Sequence, residues 1–193
     1  SPDMLALLDR PTPAALDNVE THITGSVREL CSAAAAECRA LGYETHILTA
    51  SLGCEAREAG SFLASVAQYH ADTEKPLAFI AGGETVVHIT GTGKGGRNQE
   101  LALSAARGIA GMDDARIFSV GSDGTDGPTD AAGGLADGGT CAALEAKGIS
   151  IDRVLADNDA YHALQQADGL IITGPTGTNV NDAAVLLLRP RTN

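Results

Sequence analysis

In the first third of the chain, the order of apolar and polar residues is typical of a helix, then a strand, then a second helix. Residues 26–41 are alanine-rich and free of glycine and proline, and Gly42 follows as a typical helix stop. Residues 43–50 alternate polar and apolar side chains and then become apolar, which predicts a strand. Residues 55–71 return to helical spacing, with their apolar side chains on one face. The pattern therefore predicts a helix, strand, helix unit, whose single strand cannot form a sheet by itself.

Beyond Pro76 the pattern changes to short β-rich runs separated by glycines. Five runs predict strands, at residues 77–82, 86–90, 115–121, 169–173 and 183–189. Three stretches between them have helical character, at residues 97–110, 137–147 and 157–167. Alternating strands and helices predict a three-layer α/β domain. A hairpin of the first two strands, together with the last strand, would make its sheet mixed. We therefore divide the chain into residues 1–75 and 76–193.

Composition and charge restrict the partners that the chain can bind. The 193 residues are 44% hydrophobic, which suffices for a core. A formal net charge of -12 disfavours nucleic acid and anionic membranes as partners. No apolar run approaches the roughly 18 residues that would span a bilayer. These properties predict a cytoplasmic protein that binds a small molecule.

The cysteines and histidines are expected to be structural. The four cysteines contain no CxxC pair, so we expect reduced, buried thiols and neither a metal site nor a disulfide framework. The five histidines lie mostly on predicted strands or helices, and no HExxH motif is present. The cysteines are Cys31, Cys38, Cys54 and Cys141, and the histidines are His22, His46, His70, His88 and His162.

Four glycine-rich loops follow predicted strands. Their sequences are GGET, GTGKGGRNQE, GSDGTDGPTDAAGG and TGPTGTNVND. Ligands of α/β proteins bind where such loops gather outside the carboxyl ends of strands. The loops are therefore expected to converge on one rim of the sheet.

The GTGKGG loop satisfies the pattern G-x-G-x-x-G, but its context differs from that of a dinucleotide site. The acid expected about 20 residues further on, at the end of the next strand, is misplaced here. Lys94 is followed by glycine, so the phosphate-binding Walker pattern also fails. Glycine N–H groups, Lys94, Arg97 and the start of a helix instead favour an oxyanion or phosphate site. The alternative is a flexible connection with solvated basic side chains.

The aspartates of the third loop are candidates of different kinds. Their spacing does not fit an EF-hand calcium loop. Asp123 directly follows a strand, where it could orient a hydroxyl, accept a proton or hold Mg²⁺ through water. Asp126 is either part of an Asx-turn or part of the site, and Asp130 is favoured as a helix N-cap. The fourth loop offers hydroxyls and amides suited to a polyol or a carboxylate.

Three segments together resemble the MOFRL domain, the carboxyl-terminal half of the class II glycerate kinases, whose members are often labelled hydroxypyruvate reductases. They are GGETVVHITGTGKGGRNQELALSAA, SVGSDGTDGPTDAAGG and ITGPTGTNVND, in that order. Residues 21–70 are similar to the stretch before that domain, the last part of a larger Rossmann-like domain. The resemblance covers residues 21–188. It implies a three-layer MOFRL-type domain at 76–193, preceded by a Rossmann-like remnant at 1–75.

The resemblance also implies an activity and site residues. The family phosphorylates D-glycerate with ATP and Mg²⁺ to give 2-phosphoglycerate, in a cleft between two α/β domains. Arg97 occupies the position of a family active-site arginine, and Asp123 is the second catalytic candidate, for the substrate hydroxyl or the metal. The substrate-binding candidates are Glu84, Lys94, Asn98, Asp126, Thr176, Asn179 and Asn181.

One departure from the family concerns its amino-terminal domain. The family's nucleotide-binding glycine/serine loop and its catalytic lysine belong to that domain, and nothing before Thr21 matches them. Met4 is internal, and the strand at 43–50 has lost the sheet that it should join. We therefore expect a fragment or a split subunit that needs the missing domain or a second chain, with a homodimer as a further option, and that is inactive alone. The alternatives are an NAD(P)H-dependent hydroxypyruvate reductase and a non-catalytic small-anion binding module.

Overall fold

The computed structural model of the chain describes residues 6, 11, 16–20 and 22–191. Within residues 22–191 it has helices and strands that alternate over most of the length. The helices are α1 (Val27–Ala40), α2 (Ala56–Tyr69), α3 (Arg97–Gly108), α4 (Thr140–Glu145), α5 (Ile151–Ala156) and α6 (Ala160–Gln166). The strands are β1 (Glu44–Leu52), β2 (Leu77–Gly83), β3 (Ala115–Gly121), β4 (Gly133–Asp137), β5 (Leu170–Ile171) and β6 (Asp182–Leu188).

These strands form one mixed six-stranded sheet with the order β1-β2-β6-β3-β4-β5. β1 and β2 are parallel, and every other neighbouring pair is antiparallel. β6 therefore lies between β2 and β3 and runs opposite to both. The predicted mixed sheet is confirmed.

The sheet is covered by helices on both faces. Cys31 and Ala35 of α1 pack with Ile80 and Val185 on one face. On the other face, α2 and α3 pack against alternate residues of the same strands, including Phe79. A further cluster joins α3 to α4, α5 and α6 at the β4 side of the molecule. The predicted three-layer α/β architecture is confirmed, because successive strand residues point to opposite helical layers.

The prediction that the strand at 43–50 had lost its sheet is wrong. β1 pairs in parallel with β2, from Glu44 opposite Leu77 to Leu52 opposite Gly83. Its helix α2 also shares a core cluster with α3. The division of the chain into residues 1–75 and 76–193, and the Rossmann-like origin of the first part, stay predictions.

Several predicted elements have different bounds. Residues 86–90 do not form a strand, and Val86 makes only an isolated bridge with Glu55. The missed strand β4 lies at Gly133–Asp137, and the strand predicted at 169–173 is reduced to Leu170–Ile171. The helix predicted at 137–147 is shorter and covers Thr140–Glu145. Its predicted first residue, Asp137, is instead the last residue of β4.

The environment of the cysteines matches the expectation in part. All four are free, and Cys31 and Cys38 are buried, but Cys54 is exposed and Cys141 is half-buried. The expectation of four buried thiols is therefore wrong for Cys54 and Cys141. Among the described residues, no helix combines the length and the apolar composition that crossing a bilayer requires.

Candidate functional site

The strand order brings three strand ends to one rim of the sheet. Because β6 is antiparallel to both of its neighbours, its first residue lies beside their last residues. Asp182 is opposite Gly83 of β2 and opposite Gly121 of β3. The loops that carry Glu84 and Asp123 therefore leave the sheet on either side of Asp182.

An open cavity of about 940 Å³ lies at this rim. Five of the residues predicted for the site line it: Glu84, Arg97, Asp123, Asp126 and Asn179. One part of its wall is apolar and consists of Val86, Val87 and Ile89. The structure thus brings the glycine-rich loops together around a charged cavity with an apolar side.

Arg97, the first residue of α3, is held by two carboxylates. Its Nε lies 2.6 Å from Asp182 Oδ2, and its Nη2 lies 3.1 Å from Asp182 Oδ1. Its Nη1 donates to Glu84 Oε1 over 2.7 Å. The hydrogen bond to Asp182 raises the pKa of Arg97, so the guanidinium keeps its charge.

Asp126 caps α3 from a distant loop. Its Oδ1 accepts from the Asn98 backbone N–H over 3.1 Å, and its Oδ2 accepts from the Gln99 N–H over 2.8 Å. The N-cap residue Gly96 has no side chain, and a Cβ there would lie 2.3 Å from the Asp126 carboxyl carbon. Burial raises the pKa of Asp126 to about 6 despite these bonds. Both oxygens of Asp126 are therefore engaged in holding the helix.

The GTGKGG loop is fastened to the turn before α6. Asp157 Oδ1 accepts from the Thr92 N–H over 2.9 Å, and Asp159 Oδ1 accepts from the Lys94 N–H over 2.9 Å. The Gly93 N–H donates to the Asp157 carbonyl over 2.8 Å. These N–H groups are therefore bound within the chain, which is contrary to the expectation that they face an anion.

Asn158 connects the same turn to the cavity wall. Its Oδ1 accepts from the Thr90 N–H over 2.7 Å and from the Gly91 N–H over 3.0 Å. Its Nδ2 donates to the His88 carbonyl over 3.1 Å and to Glu100 Oε1 over 2.7 Å. Within the segment 86–90, where a strand was predicted, His88 and Thr90 are thus held by the side chain of Asn158, and Val86 is held by backbone bonds with Cys54 and Ala56.

Four residues predicted to bind substrate do not line the cavity. The Lys94 Nζ lies 4.2 Å from the centre of the Tyr161 ring. Asn98 is buried and bonds Asp126, and Thr176 donates its hydroxyl hydrogen to the Ser122 carbonyl. Asn181 adopts a positive φ of 66° and accepts from the Ser122 N–H at its carbonyl. In this structure they support the loops of the site.

The two remaining aspartates of the third loop differ from each other. Asp123 is half-buried, lines the cavity, and accepts from the Thr125 N–H over 3.0 Å at Oδ1. Asp130 accepts from the Tyr161 hydroxyl over 2.8 Å, which lowers the pKa of its carboxyl. The N-cap prediction for Asp130 is wrong, because the strand β4 and not a helix follows it.

Three residues of the site were missed by the sequence analysis. Asp182 holds Arg97, Asn158 holds the wall, and Glu100 lines the cavity while almost completely buried. Burial raises the pKa of Glu100, whose Oε2 lies 3.5 Å from the Arg57 Nη2. The sequence signal for Asp182 was a carboxylate immediately before the last apolar strand.

The described part of the chain does not form a metal cage by itself. No three His, Cys, Asp or Glu side chains among the described residues converge as metal ligands. The cavity nevertheless has a half-buried carboxylate at Asp123, and Mg²⁺ usually keeps several waters and takes one or two carboxylates together with phosphates.

The fold and the site define an α/β protein with a charged ligand cavity at the rim of a mixed sheet. The MOFRL family model matches residues 77–182, which is more than half of the chain. The chain belongs to the MOFRL family.

Relatives from two organisms cover most of the chain. It is 50% identical over 181 residues to D-glycerate 2-kinase from Thermotoga maritima, which covers 92% of the chain and 43% of that relative. It is 45% identical over 178 residues to glycerate 2-kinase from Pyrococcus horikoshii, covering 90% of the chain and 40% of that protein. The chain thus spans less than half the length of either relative.

The fold is also similar to a solved structure. The crystal structure of glycerate kinase from Thermotoga maritima superposes with a TM-score of 0.87 at 50% identity. The match covers 92% of this chain and 44% of that one.

Proposed function

We propose that this chain is the carboxyl-terminal part of a glycerate 2-kinase, which transfers the γ-phosphoryl group of ATP to the 2-hydroxyl of D-glycerate. The observation that carries the proposal is the charged Arg97 guanidinium, fixed at the rim of the sheet inside the cavity. The names and the similarity of the relatives support the same activity.

Arg97 would bind the anion of the reaction. A guanidinium matches the geometry of a carboxylate or a phosphoryl group through paired N–H donors. It would neutralise either the glycerate carboxylate or the phosphoryl group in transfer, where positioning and charge stabilisation provide most of the catalysis.

Asp123 would engage the hydroxyl that attacks. The 2-hydroxyl oxygen forms a bond to the γ-phosphorus while the bond from that phosphorus to the ADP oxygen breaks. The hydroxyl proton would pass to the Asp123 carboxylate, which lines the same cavity as Arg97. Glu84 and Asn179 would contact the substrate from the exposed edge of the cavity.

ATP and Mg²⁺ would require groups beyond those of this cavity. The lining residues include a single arginine and four carboxyl groups, those of Glu84, Glu100, Asp123 and Asp126, so two anionic substrates would meet excess negative charge. In the alternative role, Asp123 would hold Mg²⁺ in place of engaging the hydroxyl, and the ion would supply charge neutralisation for the nucleotide phosphates. The remainder of a longer protein, or a second chain, would supply the nucleotide-binding groups.

The cavity gives less support to the NAD(P)H alternative. A dinucleotide site needs the N–H groups of the glycine loop for the pyrophosphate. Here the N–H groups of Gly91, Thr92, Gly93 and Lys94 are bonded to residues 157–159.

Titration of the chain with D-glycerate tests the proposal. We expect saturable binding by calorimetry, and loss of about tenfold or more in affinity for Arg97→Ala, corresponding to about 1.4 kcal/mol. Arg39→Ala removes the same charge from an exposed position of α1 and is the matched control. Equal affinity of Arg97→Ala and the wild type would contradict the proposal, and tight binding of NADH would favour the reductase.

A further inference from the structure

The buried residue Asp182 occupies a special place at the rim of the sheet. It begins β6, the strand between β2 and β3, and lies opposite Gly83 and Gly121. A Cβ on Gly121 would lie 3.6 Å from Asp182 Oδ1, so the carboxylate lies directly beside the end of β3. The loops of Glu84 and Asp123 diverge on either side of it.

Asp182 and Glu84 contact the same guanidinium in different ways. Asp182 accepts from both Nε and Nη2, and 9% of its side chain is exposed. Glu84 accepts from Nη1 alone, and 55% of its side chain is exposed. A buried, two-point contact fixes a planar guanidinium, whereas a solvated one-point contact exchanges readily with water or ligand.

The Arg97 guanidinium retains donors for a ligand. It carries five N–H groups, and the contacts with Asp182 and Glu84 use one each on Nε, Nη1 and Nη2. No other described residue accepts from it, so one N–H on each Nη remains. Among the described residues, Arg97 is the hydrogen-bond partner of the buried Asp182 carboxylate, through both of its oxygens.

We propose that Asp182 is the positioning residue of the site, which fixes the Arg97 guanidinium so that its two free N–H groups face the cavity. Without this contact, the long side chain of Arg97 would keep only the solvated bond to Glu84 and would lose its fixed orientation. Glu84 holds the same guanidinium from the solvent side and does not set its orientation. Two experiments test this proposal. The titration with D-glycerate rests on the proposed function, and the hydrogen-exchange measurement does not.

Hydrogen exchange of the Arg97 Nε–H, followed by ¹⁵N NMR, tests the contact without any ligand. In the wild type we expect slow exchange compared with the exposed Arg39. Asp182→Asn should accelerate exchange by about tenfold or more, and Glu84→Gln by less than about twofold, since a tenfold change corresponds to about 1.4 kcal/mol. Thermal unfolding of both variants shows whether they are folded.

The wild-type chain by itself can overturn the proposal. If its Arg97 Nε–H exchanges as fast as that of Arg39, Asp182 does not fix the guanidinium, whether or not Asp182→Asn folds. Equal acceleration in Asp182→Asn and Glu84→Gln would also overturn it.

Titration with D-glycerate then tests the consequence for binding. We expect Asp182→Asn to weaken the affinity by about tenfold, given that tenfold is about 1.4 kcal/mol. Asp113→Asn removes a carboxylate charge at an exposed position outside the cavity, and this control should weaken the affinity by less than about threefold. Unchanged affinity in Asp182→Asn would show that the orientation of Arg97 does not serve ligand binding. If the wild type does not bind glycerate, the proposed function fails while the exchange experiment still decides the role of Asp182.

Discussion

At the scale of single residues, buried polar side chains shape the site more than the exposed ones do. The N-cap residue of α3 is a glycine, and Asp126 takes over its role by accepting from two backbone N–H groups of the first turn. The Asn158 side chain bonds five groups: it accepts from two backbone N–H groups and the Thr90 hydroxyl, and it donates to two oxygens. Each of these residues is far in sequence from the groups that it bonds.

The raised pKa of Asp126 predicts a pH-dependent stability. Its pKa rises from 3.8 to about 6 on folding, so the folded state favours the protonated carboxyl. This contribution is fully present below pH 3.8 and is lost as the pH rises through about 6. Between pH 4 and 7, the free energy of unfolding in urea should fall by up to about 3 kcal/mol more for the wild type than for Asp126→Asn. Asp113→Asn, at an exposed position, should keep the slope of the wild type, and an unchanged slope in Asp126→Asn would contradict the prediction.

The bonds of Asn158 predict a large effect of a small substitution. An aspartate is not equivalent at this position, because Asn158→Asp replaces the two donor hydrogens by an acceptor next to Glu100 and the His88 carbonyl. We expect a loss of about 3 kcal/mol in the free energy of unfolding in urea. Asn179→Asp, at the exposed edge of the cavity, should change it by less than about 0.5 kcal/mol. Similar values for both variants would show that the bonds of Asn158 do not hold the wall.

At the scale of elements, α2 and α3 pack closely because glycines lie at their crossing. A Cβ on Gly60 of α2 would lie 2.2 Å from the Leu101 carbonyl oxygen of α3. On the other side, a Cβ on Gly108 of α3 would lie 2.5 Å from the Ala64 Cβ of α2. The crossing positions the first turn of α3, which carries Arg97, against the sheet.

Gly60→Ala is therefore expected to destabilise the protein although alanine favours helices. Overpacking against a backbone carbonyl costs about 1–3 kcal/mol, and the gain in helix propensity of about 1 kcal/mol offsets part of it. We expect a lower midpoint in thermal unfolding. Gly53→Ala is the control, since its Cβ would meet no atom closer than 3.9 Å. A midpoint for Gly60→Ala at or above that of the wild type would show that the crossing can relax.

At the scale of the whole molecule, the cavity has one arginine and several carboxylates, in a chain with a net charge of -12. The chain also spans 43% of the Thermotoga relative. Both facts underlie our proposal that groups outside this cavity bind the nucleotide.

The chain alone is accordingly expected to lack glycerate kinase activity. With ATP, Mg²⁺ and D-glycerate, a coupled assay should detect no ADP above the background of Arg97→Ala. The same chain joined to the amino-terminal part of a longer family member should form 2-phosphoglycerate, because in our proposal that part supplies the nucleotide-binding groups. Phosphorylation by the chain alone would contradict the expectation of a missing part.

The sequence by itself determined the elements with strong local periodicity and the positions of the glycine-rich loops. The helices at Val27–Ala40 and Ala56–Tyr69 follow from side-chain composition and spacing, and the strands at Leu77–Gly83 and Ala115–Gly121 follow from short β-rich runs. The loop motifs also identified the family, because each motif is a short continuous stretch that can be read directly from the sequence. These features depend on neighbours in sequence.

Only the tertiary structure decided which groups meet. β1 joins β2, Asn158 holds His88 and Thr90, and Asp182 holds Arg97 across 85 positions of the chain. Strand pairing and buried hydrogen bonds depend on which distant segments share a desolvated environment, and a polar residue looks alike in sequence whether it binds solvent, a backbone or a ligand. For that reason the sequence located the rim of the sheet, and the packing of the chain determined which carboxylate orients the arginine there.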